Sequence, residues 1–243
     1  MKYILDNLLD TAAVITPSTE DAAFPVENLY DKRPGKPFKF TTTSGNIVID
    51  LGSAQSVSAI ALINHSIPAG ASAYIEGHTS DEWSDPDVSE EIVVTAVNTH
   101  KTFTAASKRY WRLVVDCSTV TAKIGELILG NAVDLSQNYN WEWPDGHHWL
   151  NVNAATEFSQ RWSYHRTKTR SYSLSFAVND TTKDEILTLL NATNGGAIPF
   201  VFINNDDEAV YVTADDNLDV TRVLLNRNQT ELVLTELPIG KVL

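Results

Sequence analysis

The sequence predicts a mainly β protein in two parts: a β-sandwich over residues 1–130, then a β-rich, α+β domain over residues 131–243 with one helix near 181–194. Three observations carry that expectation. Short β-branched and aromatic runs recur through the first half, separated by turn-forming residues. A strictly alternating run, Ser171-Tyr-Ser-Leu-Ser-Phe-Ala-Val178, marks a half-buried strand in the second half. One segment alone, Thr181–Asn191, places its apolar residues at helical spacing.

In chain order, strands are expected at Pro37–Thr41, Ile47–Leu51, Val57–Asn64, Ala73–Glu76, Glu91–Val97, Tyr110–Val115 and Lys123–Leu129. Turn-rich stretches such as Arg33-Pro-Gly-Lys-Pro37, Pro68-Ala-Gly70 and Asp85-Pro-Asp87 lie between them. This spacing argues a sandwich or barrel rather than alternating βα units. Residues 131 to about 170 show no clear period, and Asn138–Trp149 reads as a loop or a hairpin lying against another surface. Beyond it, Tyr172, Leu174, Phe176 and Val178 share one strand face. In the helix, Thr182 with Glu185 forms a capping-box pattern and Ile186, Leu189 and Leu190 supply the buried stripe. Gly195-Gly196 ends the helix, because glycine takes the left-handed cap conformation at little cost. Strands follow at Pro199–Ile203, Ala209–Thr213, Val220–Leu225 and Glu231–Glu236.

The 243 residues suffice for a full core, and their apolar share of 43% is ordinary for a globular chain. No apolar run approaches the roughly 18 residues that span a bilayer, so membrane insertion is not expected. Asp6 interrupts the start too early for a secretory leader. The net charge of −13 is shared by both halves and repels phosphate backbones, which disfavours nucleic acid. Cys117, the single cysteine, has no disulfide partner within the chain and is expected to be packed.

The first half resembles the galactose-binding-like, or discoidin (F5/8 type C), jelly-roll family. The resemblance rests on Phe24-Pro-Val-Glu-Asn-Leu-Tyr-Asp31, on Ile47-Val-Ile-Asp-Leu-Gly52 with Ile60-Ala-Leu-Ile63, and on Arg109-Tyr-Trp-Arg-Leu-Val-Val115. The second half is similar to distal-tail and tail-hub proteins of long-tailed phages. Tyr172-Ser-Leu-Ser-Phe176, the helix from Thr182 and Gly195-Gly-Ala-Ile-Pro-Phe200 carry that likeness. Together the two resemblances imply a structural virion protein of the tail tip or baseplate, assembled in the host bacterial cytoplasm. Its expected partners are other tail proteins (tube, hub, fibres), copies of itself in a homo-oligomeric ring, six being one expected count, and a host surface glycan. The discoidin resemblance also implies a structural calcium near the first long loop, where Glu20, Asp21 and Asp31 offer hard oxygen donors. The alternative from another class is a stand-alone carbohydrate-binding protein.

No hydrolase, zinc-protease, P-loop or dinucleotide motif is present, so no enzyme is expected and no catalytic residue is named. Sugar recognition needs an aromatic platform beside polar groups. Trp83, in Thr79-Ser-Asp-Glu-Trp-Ser-Asp-Pro86, is the candidate, and closing the sandwich edge as core is the more economical reading of it. Trp141, Trp143 and Trp149 make a candidate protein interface, since aromatics dominate interface energetics.

Overall fold

A computed structural model describes residues 1–94, 98–140, 145–155, 161–215, 220–224 and 227–238. It is mainly β and antiparallel, with one α-helix among the described residues. The strands are β1 (Lys2–Ile4), β2 (Val14–Pro17), β3 (Phe38–Lys39), β4 (Ser44–His65), β5 (Ser72–His78), β6 (Val88–Glu91), β7 (Thr99–Asp116), β8 (Lys123–Gly130) and β9 (Ala132–Asp134). Then come β10 (Asp145–Ala155), β11 (Arg161–Val178), helix α1 (Asp180–Ala192), β12 (Phe200–Ile203), β13 (Ala209–Ala214), β14 (Val220–Leu224) and β15 (Arg227–Glu236). No helix among the described residues is long and apolar enough to cross a membrane.

Contacts divide the chain into two compact units: one built mainly of Lys2–Asp134 with Val201–Val210, and one of Met1, Leu135–Phe200 and Tyr211–Gly240. In the first unit a sheet runs in the order β3-β8-β4-β7-β5-β6, with β2 paired to β4. The runs expected at Ile47–Leu51 and Val57–Asn64 are one strand, the 22-residue β4. Its register breaks between Asp50 and Gln55, where Gly52 takes φ 76°, so the chain bends without leaving the sheet. Ile47 and Ile49 before the bend and Ile60 and Leu62 after it feed the same core. That core also takes Phe38, Phe40, Ile75, Trp111, Leu113 and Leu127, each worth roughly 1.5–3 kcal/mol in apolar transfer. Cys117 is packed there too, its thiol pushed up by burial, with the Asp116 charge adding to the effect. Beside this sheet, β1 pairs with β9 on one side and β12 on the other.

Among the strand boundaries that differ from expectation, two shift by many residues. The strand expected over Glu91–Val97 ends at Glu91 as β6; residues 95–97 lie outside the described residues. Conversely β7 begins at Thr99, well before the expected Tyr110, through a Lys- and Thr-rich stretch without alternating apolar residues.

In the second unit β10 and β11 form an antiparallel hairpin, from Asp145↔Tyr172 to Ala155↔Arg161. β15 pairs with β11, β14 and β13. Tyr172, Leu174 and Phe176 are fully buried on one face, as their alternation requires; the Val178 side chain lies outside the described residues. Ile186, Leu189 and Leu190 make the buried stripe of α1. Its cap departs from expectation. Asn179 is the N-cap, accepting from the Thr182 backbone N–H, while Glu185 instead accepts from the backbone N–H and hydroxyl of Ser136. Thr182 is buried and its hydroxyl lies 2.7 Å from that of Ser136, which takes it out of the capping role.

Candidate functional site

The two strand motifs of the first half meet. Arg109, at the start of Arg-Tyr-Trp-Arg on β7, donates from Nε and Nη2 to both oxygens of Asp50, at 2.7 and 2.8 Å. Asp50 in turn accepts the Gly52 backbone N–H at 2.8 Å, which fixes the bend in β4. The Arg109 hydrogen bonds hold the Asp50 carboxyl below its usual range. Such a bidentate fork is a positioning device, and Arg109 is too exposed for it to be a large source of stability.

Further along the same strand Arg112 reaches the opposite sheet neighbour. Its Nε donates to Glu76 Oε2 at 2.7 Å, across a directly paired position of β5 and β7. The Arg112 guanidinium lies 4.5 Å from the centroid of the Trp83 ring, a cation–π distance. Trp83 is half-buried in the β5–β6 loop and is not among the residues of the hydrophobic core. Its indole N–H donates to Asp81 at 2.7 Å.

The loop carrying Trp83 is fixed at both ends. His78 Nδ1 accepts the Ser80 backbone N–H at 3.0 Å, and Asp87 pairs with Lys108 at 2.7 Å. That hydrogen bond from Lys108 holds the Asp87 carboxyl below its usual range. The result is an indole contacted by a pinned guanidinium and flanked in sequence by the exposed Asp81, Glu82, Ser84 and Asp85. A platform ordered before the ligand arrives loses less entropy on binding. Arg112 and Glu76 were not singled out by sequence; their cross-strand pairing is visible only once the register is known.

The acids expected to hold calcium do not act together. Glu20 is exposed. Asp21 is taken by Lys39 at 2.9 Å and by the Ala23 backbone N–H at 3.1 Å, and the Lys39 hydrogen bond, more than any other contact, holds its carboxyl low. Asp31 accepts the Arg33 N–H at 2.9 Å and stands 3.7 Å from Lys36. No group of three or more His, Cys, Asp or Glu residues gathers as a metal cluster among the described residues.

Sequence reasoning missed Glu126 on β8. It is only 1% exposed, and its Oε1 has no hydrogen-bond partner among the described residues. Burial pushes its carboxyl up to about 9; the charge of Asp31 adds to this, and an Arg33 backbone hydrogen bond opposes it. A lone acid set between Ile124-Gly125 and the apolar Leu127-Ile-Leu129 run was the available signal. Trp141 and Trp143 lie outside the described residues, as does the side chain of Trp149, whose backbone is on β10.

No family model and no curated protein matches this chain. Solved structures do match its fold over about half its length. A Ruminococcus gnavus GH29 fucosidase in complex with fucose matches with 15% identity and a TM-score of 0.45, covering 53% of this chain and 27% of its own. A chitosan-binding module in complex with chitotriose, from a Paenibacillus sp. IK-5 chitosanase/glucanase, matches with 19% identity and a TM-score of 0.41, covering 51% of this chain and 100% of its own. The lectin domain of lectinolysin, complexed with Lewis B antigen, matches with 11% identity and a TM-score of 0.43, covering 51% and 95%. The chain therefore spans about a quarter of the length of the fucosidase.

Proposed function

We propose that the sandwich unit is a glycan-contact module whose stacking platform is Trp83. The observation that carries this reading is the half-buried indole held outside the core by Asp81 and backed by the Arg112–Glu76 pair. A pyranose offers an apolar C–H face and a hydroxyl rim. The indole matches the first and the surrounding carboxylates and hydroxyls match the second. Binding of this kind needs no general acid, base or nucleophile, so the module acts by adhesion and not by turnover.

The expected result of Trp83→Ala in the full chain is a loss of about 1–1.5 kcal/mol, roughly tenfold in affinity, for the strongest ligand on a glycan array. The melting temperature should stay close to that of the parent, because Trp83 is not core. Retention of full affinity by this variant would remove the platform reading. The finer reading, a ring-forming component of a phage tail, rests on the resemblance of the second half. It predicts a closed ring in native mass spectrometry, which glycan binding alone does not require.

A structural cation belongs to the same proposal. Glu126, which feels the charge of Asp31, would supply one carboxylate and Asp31 a second, with loop carbonyls and water needed to complete the six to eight oxygens that calcium takes. The orphaned, buried Oε1 of Glu126 is the feature that fits a cation. Calcium added to chelated protein at 100 times its Kd should stabilise the sandwich by about 2.7 kcal/mol, seen as a rise in melting temperature. Glu126→Gln should abolish the rise. No rise in the parent protein means that Glu126 is simply a buried neutral acid.

A further inference from the structure

Towards its N-terminal end β7 is irregular. Val57 of β4 pairs with Ala106 and Ala59 pairs with Thr102, so Ser58 alone stands opposite three residues, Phe103, Thr104 and Ala105. A bulge re-aims side chains that would otherwise alternate across the sheet. Here it brings the consecutive Thr102, Phe103 and Thr104 to one open concavity, also lined by Ser58, Lys2 of β1 and the β9 residues Ala132 and Asp134. Its volume of about 370 Å³ falls in the lower part of the roughly 300–1,000 Å³ range of small-molecule sites.

The lining has a definite chemistry. Phe103 is a fixed apolar wall, tilted against the buried Trp111 with ring centroids 5.8 Å apart. Ser58 Oγ accepts the Ala132 N–H at 3.0 Å, which leaves its own proton to donate. The Thr102 and Thr104 hydroxyls make no hydrogen bond among the described residues. Lys2 Nζ and Asp134 Oδ2 stand 3.9 Å apart, beyond hydrogen-bond range, so an ammonium donor and a carboxylate acceptor remain available while their charges cancel.

We propose that this bulge-built pocket is a second ligand site, separate from Trp83, and that it takes one uncharged, pyranose-sized polyol. The ring's C–H face would lie on Phe103, and its hydroxyls would meet the threonines, Ser58, Lys2 and Asp134. The site does not depend on the Trp83 reading.

The test is an NMR titration of the uniformly labelled full chain with glucose, galactose and N-acetylglucosamine, with glucuronate as the charged control. Saturable shifts at residues 102–104 and 132–134 are expected for at least one neutral sugar and should persist in Trp83→Ala. Thr104→Val and Lys2→Met should each weaken that binding roughly fivefold to tenfold without shifting resonances elsewhere. Thr104 is exposed, so its variant tests the ligand and not folding. Shifts confined to the Trp83 loop, no saturable shift at the pocket, or tighter binding of glucuronate than of any neutral sugar would each overturn the proposal. The first of these outcomes would leave the Trp83 platform standing.

Discussion

Trp111→Ala is expected to destabilise the sandwich unit by about 3–5 kcal/mol, the range for emptying the site of a large buried aromatic. Trp111 is fully buried in the C-terminal half of β7, with Phe103 against it at 5.8 Å. Its indole N–H donates to the Lys108 carbonyl at 3.3 Å, so the truncation also removes that donor. A typical domain holds only about 5–15 kcal/mol in total, so the variant should show a large drop in urea midpoint. A second substitution separates packing from a general weakening of β7. A Cβ added at Gly77, the cross-strand neighbour of Trp111, would lie 2.9 Å from Trp111 Cζ3. Gly77→Ala alone should therefore destabilise by about 1–3 kcal/mol through overpacking. In the Trp111→Ala background that penalty should vanish, a coupling of at least about 1 kcal/mol. Additive effects would mean that the indole does not pack against Gly77 as described.

The same residues show what a single sequence discloses. Trp111, Leu113 and Val115 recur at every second position, flanked by Arg112, Val114 and Asp116, and the structure buries all three, because period-two patterning is a direct image of a one-sided core. The helix was equally legible through Ile186, Leu189 and Leu190, though its cap was not. Asn179 and Thr182 are both competent capping residues, and only the tertiary contact of Thr182 with Ser136 decides between them. Pairings distant in sequence left no local trace: β1 lies between β9 and β12, and nothing in Lys2-Tyr-Ile4 names those neighbours. The site divides in the same way. Trp83 was visible as a loop aromatic, but the Arg112 guanidinium that backs its ring is itself held by Glu76 across two strands. The Thr102–Thr104 pocket was hidden because a bulge breaks the alternation on which strand reading depends.

Acid should weaken the sandwich through His65 well before its carboxylates are protonated. The imidazole is 5% exposed and makes two hydrogen bonds with distinct roles. Nδ1 accepts the Ile67 backbone N–H at 3.2 Å, so the ring proton resides on Nε2 and is donated to Thr99 Oγ1 at 3.0 Å. Burial lowers the pKa from 6.5 to about 4, because the charged ring is poorly solvated there. Below pH 6.5 the unfolded chain binds a proton at this residue that the folded chain refuses until about pH 4. Stability from His65 is therefore fully present above pH 6.5 and is lost as pH falls towards 4, by about 3 kcal/mol in all. Glu126 acts in the opposite sense: held protonated up to about 9 in the folded state, it costs stability as pH rises from 4.5. The two slopes nearly cancel between pH 4.5 and 6.5 in chelated protein, so the parent curve alone is uninformative there. The difference between parent and His65→Asn isolates the histidine, since Glu126 is common to both. The stability advantage of the parent should shrink by about 3 kcal/mol from pH 7 to pH 4, measured by urea melts at matched ionic strength. A difference that stays constant across this range would show that His65 titrates alike in the folded and unfolded chain, and that its two hydrogen bonds do not depend on a neutral ring.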